Sequence, residues 1–325
     1  MMNLAPSEEQ QGIAATSAAF LAEQLPLSWL RELAAVPDGD AVDDRTWRRC
    51  AGLGWLALSL SEDDGGLGLG LPEEVMLFRE LGRGLAPGPF RSSVLGVRVA
   101  ARTGRTDLAT AISEGARRVG MRVGELAIDV RPGDLLLELD ATGGRLSEVE
   151  EATQVRGVDP GTRFFEATTG AAVARLDDAG LLSRARVLVA AELLGIIEAV
   201  RDMSSDYART REQFGRPIGT FQAVKHPCAD MAVAAYAARA QIFQAALLVE
   251  AGAQDAGFQA ASAHVLAVDG ARKSTADTIQ IHGGIGYTWE HDAHLYLKRA
   301  LLLEHLLGTP RDAYQAVLAP ARHDF

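Results

Sequence analysis

The chain of 325 residues has little of several things. Its two cysteines, Cys50 and Cys228, are far apart and fit no C-x-x-C spacing. Neither a disulfide framework nor a thiolate metal site is therefore expected. Seven histidines form no H-x-x-x-H or H-E-x-x-H pattern, so no metal ligand set is expected either. Aromatic residues are only 6% while Ala and Leu dominate, a mix that favours helices. Positive charge is in deficit, with 32 Lys and Arg against 43 Asp and Glu. That balance argues against non-specific nucleic-acid binding and against attraction to an anionic membrane surface. An anionic ligand would need a local set of arginines or backbone N–H groups. The longest apolar stretch, Val187 to Val200, is interrupted by Glu192 and Glu198, so no segment is expected to span a bilayer. The first residues are polar and acidic, without the basic start and apolar run of a signal peptide. With the cysteine usage, this points to a reduced, cytoplasmic setting. No G-x-S-x-G elbow is present, and the single G-x-G near Gly68 follows no strand, which leaves no dinucleotide fingerprint.

What is present divides into three parts. Residues 1–117 read as an N-terminal α-helical domain, with helical spacing over Ala14 to Val36 and Asp44 to Leu53. Breaks fall at Asp63–Gly66, at Gly68–Pro72 and at Ala86–Pro89, and Pro72 is placed at the first turn of the next helix. Residues 118–180 read as a reduced middle β-domain of short strands. Leu126, Ile128 and Val130 alternate with other residues, as do Leu135, Leu137 and Leu139. About 60 residues are too few for much of a core of their own. Residues 181–325 read as a C-terminal four-helix bundle, with helices expected over about 182–213, 227–252, 258–282 and 292–318. The fold class is mainly α with a small β-domain.

Two segments carry most of the chemistry. One is Tyr207-Ala-Arg-Thr-Arg-Glu-Gln-Phe-Gly-Arg-Pro-Ile-Gly-Thr-Phe-Gln222; the other is Gln280-Ile-His-Gly-Gly-Ile-Gly-Tyr-Thr-Trp-Glu290. Arg211 is a permanent cation at the end of a long helix, and its planar fork suits a diphosphate. Gly283 and Gly284 follow a helix and let backbone N–H groups approach a ligand closely. Gln280, about one turn earlier, offers an amide in the same direction. Each residue taken singly also fits a plain helix cap; the set at this spacing favours a ligand.

These segments resemble the acyl-CoA dehydrogenase family. The first is similar to its R-x-x-F-G-x-x-I-x-x-x-Q element and the second to its Q-x-x-G-G-x-G-Y element. Glu62-Asp-Asp-Gly-Gly-Leu-Gly68 resembles the family's P-E-x-x-G-G-x-G loop, with Ser61 in place of Pro, and Glu80 to Pro89 resembles the helix end that follows. The resemblance implies an acyl-CoA dehydrogenase-like fold. It implies that Arg211, Phe214, Gln222, Gln280, Gly283 and Gly284 hold the ADP half of an FAD whose ring lies in another subunit.

In the resembled family a Glu removes the α-proton of an acyl-CoA thioester and a hydride passes to the flavin. The family places that Glu at one of two sites. Here Leu307, before Gly308-Thr309, and Ala185, ahead of Leu194-Gly195, stand at the corresponding positions. Neither side chain can take a proton. Glu304 is read as a solvated helix charge, and Glu192 and Glu198 as ordinary helix or subunit-contact residues. The T-E-P-x-x-G-S-D and W-I-T-N-like segments that wrap the flavin ring are absent. Arg186 matches a family arginine near the CoA tail, whereas Ser183 stands where an acidic residue is common. His226 and His282 are read as neighbours of the cofactor segments. Some bacterial members of the family are α2β2 heterotetramers in which a shorter subunit completes the FAD site of a catalytic one. The resemblance therefore implies a non-catalytic subunit, partnered with a catalytic acyl-CoA dehydrogenase subunit and acting in the complex on an acyl-CoA such as a steroid side-chain CoA. A self-sufficient enzyme with another base and a flavin-free structural subunit remain as alternatives.

Overall fold

A computed structural model describes residues 5–36 and 38–319. Local caps set the first helices. Ser7 and Gln10 form a reciprocal box at the start of α1 (Glu8–Gln24), and Asp43 caps α3 (Asp44–Gly52) by accepting the Thr46 N–H. The run expected to be helical from Ala14 to Val36 is two helices. Pro26 disfavours helical geometry at Leu25 and becomes the N-cap of α2 (Leu27–Ala35). After the 62–70 loop come α4 (Leu71–Arg83), with Pro72 in its first turn, α5 (Phe90–Arg102) and α6 (Thr106–Ser113).

Five strands then close into a barrel: β1 (Val119–Val123), β2 (Leu126–Ile128), β3 (Leu135–Leu139), β4 (Gly144–Val155) and β5 (Phe164–Leu176). The order around it is β1-β2-β5-β4-β3, and the β1–β3 pair that closes it is parallel. β4 and β5 span 12 and 13 residues, longer than the short strands expected. Only Ala127, Val130, Leu136 and Val149 form an interior of the barrel's own. Val119, Met121, Ile128, Leu135, Leu137 and Leu146 instead join the main core. A small sheet of this kind borrows its stability from the helices beneath it.

The C-terminal part is α7 (Gly180–Thr210), a two-residue ribbon of β6 (Glu212–Gln213) and β7 (Arg216–Pro217), α8 (Gln222–Glu250), α9 (Ala256–His282), α10 (Ala293–His305) and α11 (Pro310–Leu318). Two expectations are corrected. α8 begins at Gln222, five residues before Pro227, and carries that proline inside it as its sixth residue, past the first turn. The last expected helix, 292–318, is two. Gly308 at φ +115° turns the chain, and Thr309 with Asp312 caps a fresh start at Pro310. By length and composition α8 would be able to cross a membrane, contrary to the expectation that no segment could. In the fold it lies in the bundle, with Met231, Ala235, Ala238, Ile242 and Ala246 buried.

α4 and α7 cross with their backbones touching. A Cβ on Gly82 would collide with the Glu192 carbonyl, and one on Gly195 with the carbonyl of Arg79. Arg299 on α10 joins three parts of the chain. It pairs with buried Asp159 between β4 and β5, and it donates to the Ala86 carbonyl, before α5, at 3.1 Å. The Gly195→Ala variant is expected to lose about 3 kcal/mol or more of stability, because neither helix can retreat without opening the core. Gly12→Ala, where a Cβ meets nothing within 4 Å, should be neutral or stabilising by up to about 1 kcal/mol. Urea denaturation midpoints of the two variants check this.

Candidate cofactor-binding site

α7 ends because Gly215 and Pro217 cannot continue a helix, and the chain reverses in a tight hairpin. Gln213 pairs with Arg216, so Phe214 and Gly215 are the two central residues, at φ +54° and +76°. Two positive φ values are what a twisted two-residue hairpin demands. Glycine supplies one without strain; phenylalanine does not. The strained Phe214 leaves its ring 91% exposed, touching Phe221 edge-on with centroids 6.0 Å apart. Strain of this kind at an exposed ring is a signature of a ligand or partner contact.

Arg211 stands just past the last residue of α7, its N–H bonded to the Tyr207 carbonyl at 2.8 Å and its carbonyl accepting from Ile218. Its side chain is exposed and forms no ion pair among the described residues. Gln222 opens α8, exposed, with His226 Nε2 3.3 Å from its Oε1. At the far end of α9, Gln280 is exposed, and Gly283 at φ +63° and Gly284 face open space, where a Cβ would meet nothing within 4 Å. The ends of α7 and α9 meet. Ser204 Oγ donates to Thr278 Oγ1 at 3.0 Å, and the rings of Tyr207 and His282 stack. Arg211, Phe214, Gln222, Gln280, Gly283 and Gly284 therefore lie at one end of the bundle, all exposed. Arginine and two carboxamides make a donor set for an anion such as a diphosphate, beside an open glycine turn; the Gly283 N–H itself caps α9, donating to the Ile279 and Gln280 carbonyls. His282, expected only as a neighbour, is buried between two other rings, a contact that no periodicity reveals.

The other end of α7 has the opposite character. Ala185 is completely buried, and Leu307 is half-buried against the core. Beside Ala185, Arg184 sits in a closed network. It binds Glu74 and donates to Glu250 at 2.6 Å, while Glu250 also accepts the Leu71 N–H. Arg186 is half-buried with no ion pair among the described residues, and burial lowers its pKa. Ser183 is buried. Glu304 is corrected: it is buried, not solvated, because α11 packs back against α9 and brings Tyr314 near it. It forms no ion pair among the described residues. Glu192 and Glu198 are not subunit contacts but buried partners within the chain, of Arg91 and of Arg79 and Arg239 respectively.

The family model for the acyl-CoA dehydrogenase N-terminal domain matches residues 7–108, and that for the acyl-CoA dehydrogenase C-terminal domain matches residues 177–311. Acyl-CoA dehydrogenase IpdE2 of Mycobacterium tuberculosis is 34% identical over 95% of this chain and 96% of its own. Among solved structures, the steroid ACAD Tcur3481–Tcur3483 is 25% identical, with a TM-score of 0.81 over 97% of this chain and 99% of that one. The ChsE4–ChsE5 complex of Mycobacterium tuberculosis shares the fold, with a TM-score of 0.85 at 24% identity over the full length of both chains. Helices, small barrel and helical bundle in this order define a flavoenzyme-like scaffold. The chain belongs to the acyl-CoA dehydrogenase family.

His264, on α9 near Arg186, is 3% exposed, and neither ring nitrogen has a hydrogen-bond partner. Burial, with the Arg186 cation adding to it, pushes its pKa down to about 4 from 6.5. The folded state therefore excludes a proton that the unfolded chain binds. The stability this provides is complete above pH 6.5 and is lost as pH falls through the folded value near 4, a total of about 3 kcal/mol. Unfolding free energy measured between pH 4.5 and 7.5 should fall with acid, and His264→Leu should flatten that part of the profile.

Proposed function

We propose that this chain is the shorter, non-catalytic member of an unequal acyl-CoA dehydrogenase pair, completing the FAD site of a catalytic partner in a cytoplasmic α2β2 assembly. One observation carries the reading: the contrast between the two ends of α7. At its C-terminal end, Arg211 and Gln280 present donors outward from the chain, beside the open turn at Gly283–Gly284. Near its N-terminal end, Ala185 offers no ionisable group at one family base position, and Leu307 offers none at the other.

The donor set fits FAD. Arg211 holds diphosphate oxygens through a charge-assisted fork, the Gly283–Gly284 turn lets the ligand approach the backbone without a Cβ in the way, and Gln280 adds a neutral amide. Gln222 and the bare Phe214 ring offer a polar and an apolar contact to the rest of the ADP half. When bound, the flavin supplies hydride acceptance; this chain's residues grip its outer half and leave proton removal to the partner. Exposed Val233 and Tyr236 on α8, with Phe214, Ile285, Tyr287 and Trp289 around the clasp, are apolar surface that a partner subunit would cover. The likeness to the steroid ACAD Tcur3481–Tcur3483 supports a steroid side-chain CoA as the substrate of the assembly.

Burial of Glu304 one turn before Leu307 favours a second reading, a self-sufficient enzyme with that carboxylate as its base. Flavin-to-protein ratio and turnover with an artificial electron acceptor separate the two. The chain alone is expected to show no turnover. In the complex with its partner, Arg211→Ala should lower flavin retention roughly tenfold, since each lost charge-assisted bond is worth about 1.5–3 kcal/mol. Glu304→Gln should leave flavin content and turnover nearly unchanged. Turnover by the chain alone that Glu304→Gln abolishes establishes the second reading instead.

A further inference from the structure

The two halves of the clasp lie far apart in sequence, and three rings join them. Tyr207 is one helical turn before Arg211, and its carbonyl receives the Arg211 N–H. His282 is the residue before Gly283. The Tyr207 and His282 rings stack with centroids 4.3 Å apart and planes 25° from parallel. On its other side His282 meets His291, centroids again 4.3 Å apart, planes at 46°. One imidazole is thus held between the helix that delivers the arginine and the loop that follows the glycine turn.

The orientation of that imidazole is fixed. Its Nδ1 lies 2.8 Å from the Thr278 carbonyl, which can only accept, so Nδ1 carries the hydrogen. Nε2 is left as a buried lone pair without a partner. His291 is set the opposite way: its Nδ1 accepts the Ala293 N–H at 3.1 Å, which puts its own hydrogen on Nε2. Burial and the neighbouring His291 both disfavour a charge on His282. The central ring is therefore neutral, and a neutral ring one residue from an anion site contributes geometry, not charge. The Ser204–Thr278 hydroxyl bond, on the same faces of α7 and α9, keeps the two helices in register beneath it.

We propose that the Tyr207–His282–His291 stack is a positioning device for the clasp. It holds Arg211 and the Gly283–Gly284 turn at a fixed separation before any ligand arrives, so that ordering them is not a cost of binding. The inference rests on the FAD reading above; it adds that residues which never touch the cofactor set its affinity.

The test is the dissociation constant of FAD for the complex with its partner, read by flavin fluorescence, with a melting temperature recorded for each variant. His282→Ala and Tyr207→Leu should each weaken FAD binding by about three- to tenfold, the usual weight of an aromatic pair. His282→Phe, which restores a ring, should recover most of the loss, whereas His282→Gln, which keeps a donor for Thr278 and loses the ring, should not. In an Arg211→Ala background the His282→Ala loss should shrink, because one of the groups it positions is gone. General destabilisation would lower melting temperatures without this coupling. If Arg211→Ala weakens binding while His282→Ala, His282→Gln and Tyr207→Leu keep the wild-type constant, the positioning role is wrong and the FAD reading stands. If Arg211→Ala itself has no effect, the FAD reading fails, and the stack's role in it falls as well. Should His282→Ala fail to fold, Tyr207→Leu and His282→Gln decide the matter.

Discussion

From Leu181 to Val200 almost every residue of α7 is buried, and each fully buried charge on such a helix needs a partner. It carries Arg184, Glu192 and Glu198 there, and each partner comes from a different direction. Glu74 on α4 and Glu250 at the end of α8 meet Arg184; Arg91 on α5 meets Glu192; Arg79 on α4 and Arg239 on α8 meet Glu198. Removing Arg91 would strand Glu192 in the core, and removing Arg184 would strand Glu74. These pairs, with the Gly82–Gly195 crossing, set how α4, α5 and α8 rotate about α7. The outward direction of the α7 terminus, and of Arg211 beyond it, follows from that setting.

The order of helices, strands and bundle was legible because periodicity and turn residues act within a few positions of one another. Pro72, Gly215 and Pro217 mark element ends on purely local grounds, and so did Gly308-Thr309-Pro310, a stop and restart that the helical spacing on either side concealed. Pro227 misled in the other direction. At the sixth position of α8 it forgoes a helical N–H, yet the helix runs on through it, so a breaker residue became an interior one. The barrel's closure was not legible, since the parallel β1–β3 pairing is a contact between strands and not a pattern along either.

At the site, the residue types in the two motifs could be named from sequence because arginine, carboxamide and paired glycines each have a specific use toward an anion. Their exposure could not be read, nor could the stack between Tyr207, His282 and His291, because ring contacts across helices leave no trace in spacing. Glu304 shows the same limit. One turn from Leu307 it reads as an outward charge, and the return of α11 over α9 is what encloses it. In each case a local pattern gave the chemistry, and a long-range contact decided whether water reaches it.

The barrel has a consequence for how the chain meets other chains. Each of its five strands has a hydrogen-bonded neighbour on both sides, but β2 reaches only Phe164 and Phe165 of β5; beyond them the Arg122 and Arg105 side chains donate to the Ala167 and Val173 carbonyls of that strand. A protein that exposes the rings of Phe214, Tyr236 and Tyr287 already carries a risk of sticking to itself. The two arginines occupy backbone carbonyls that an added strand would need, which keeps that risk to side-chain contacts, which are reversible, and away from backbone pairing, which propagates.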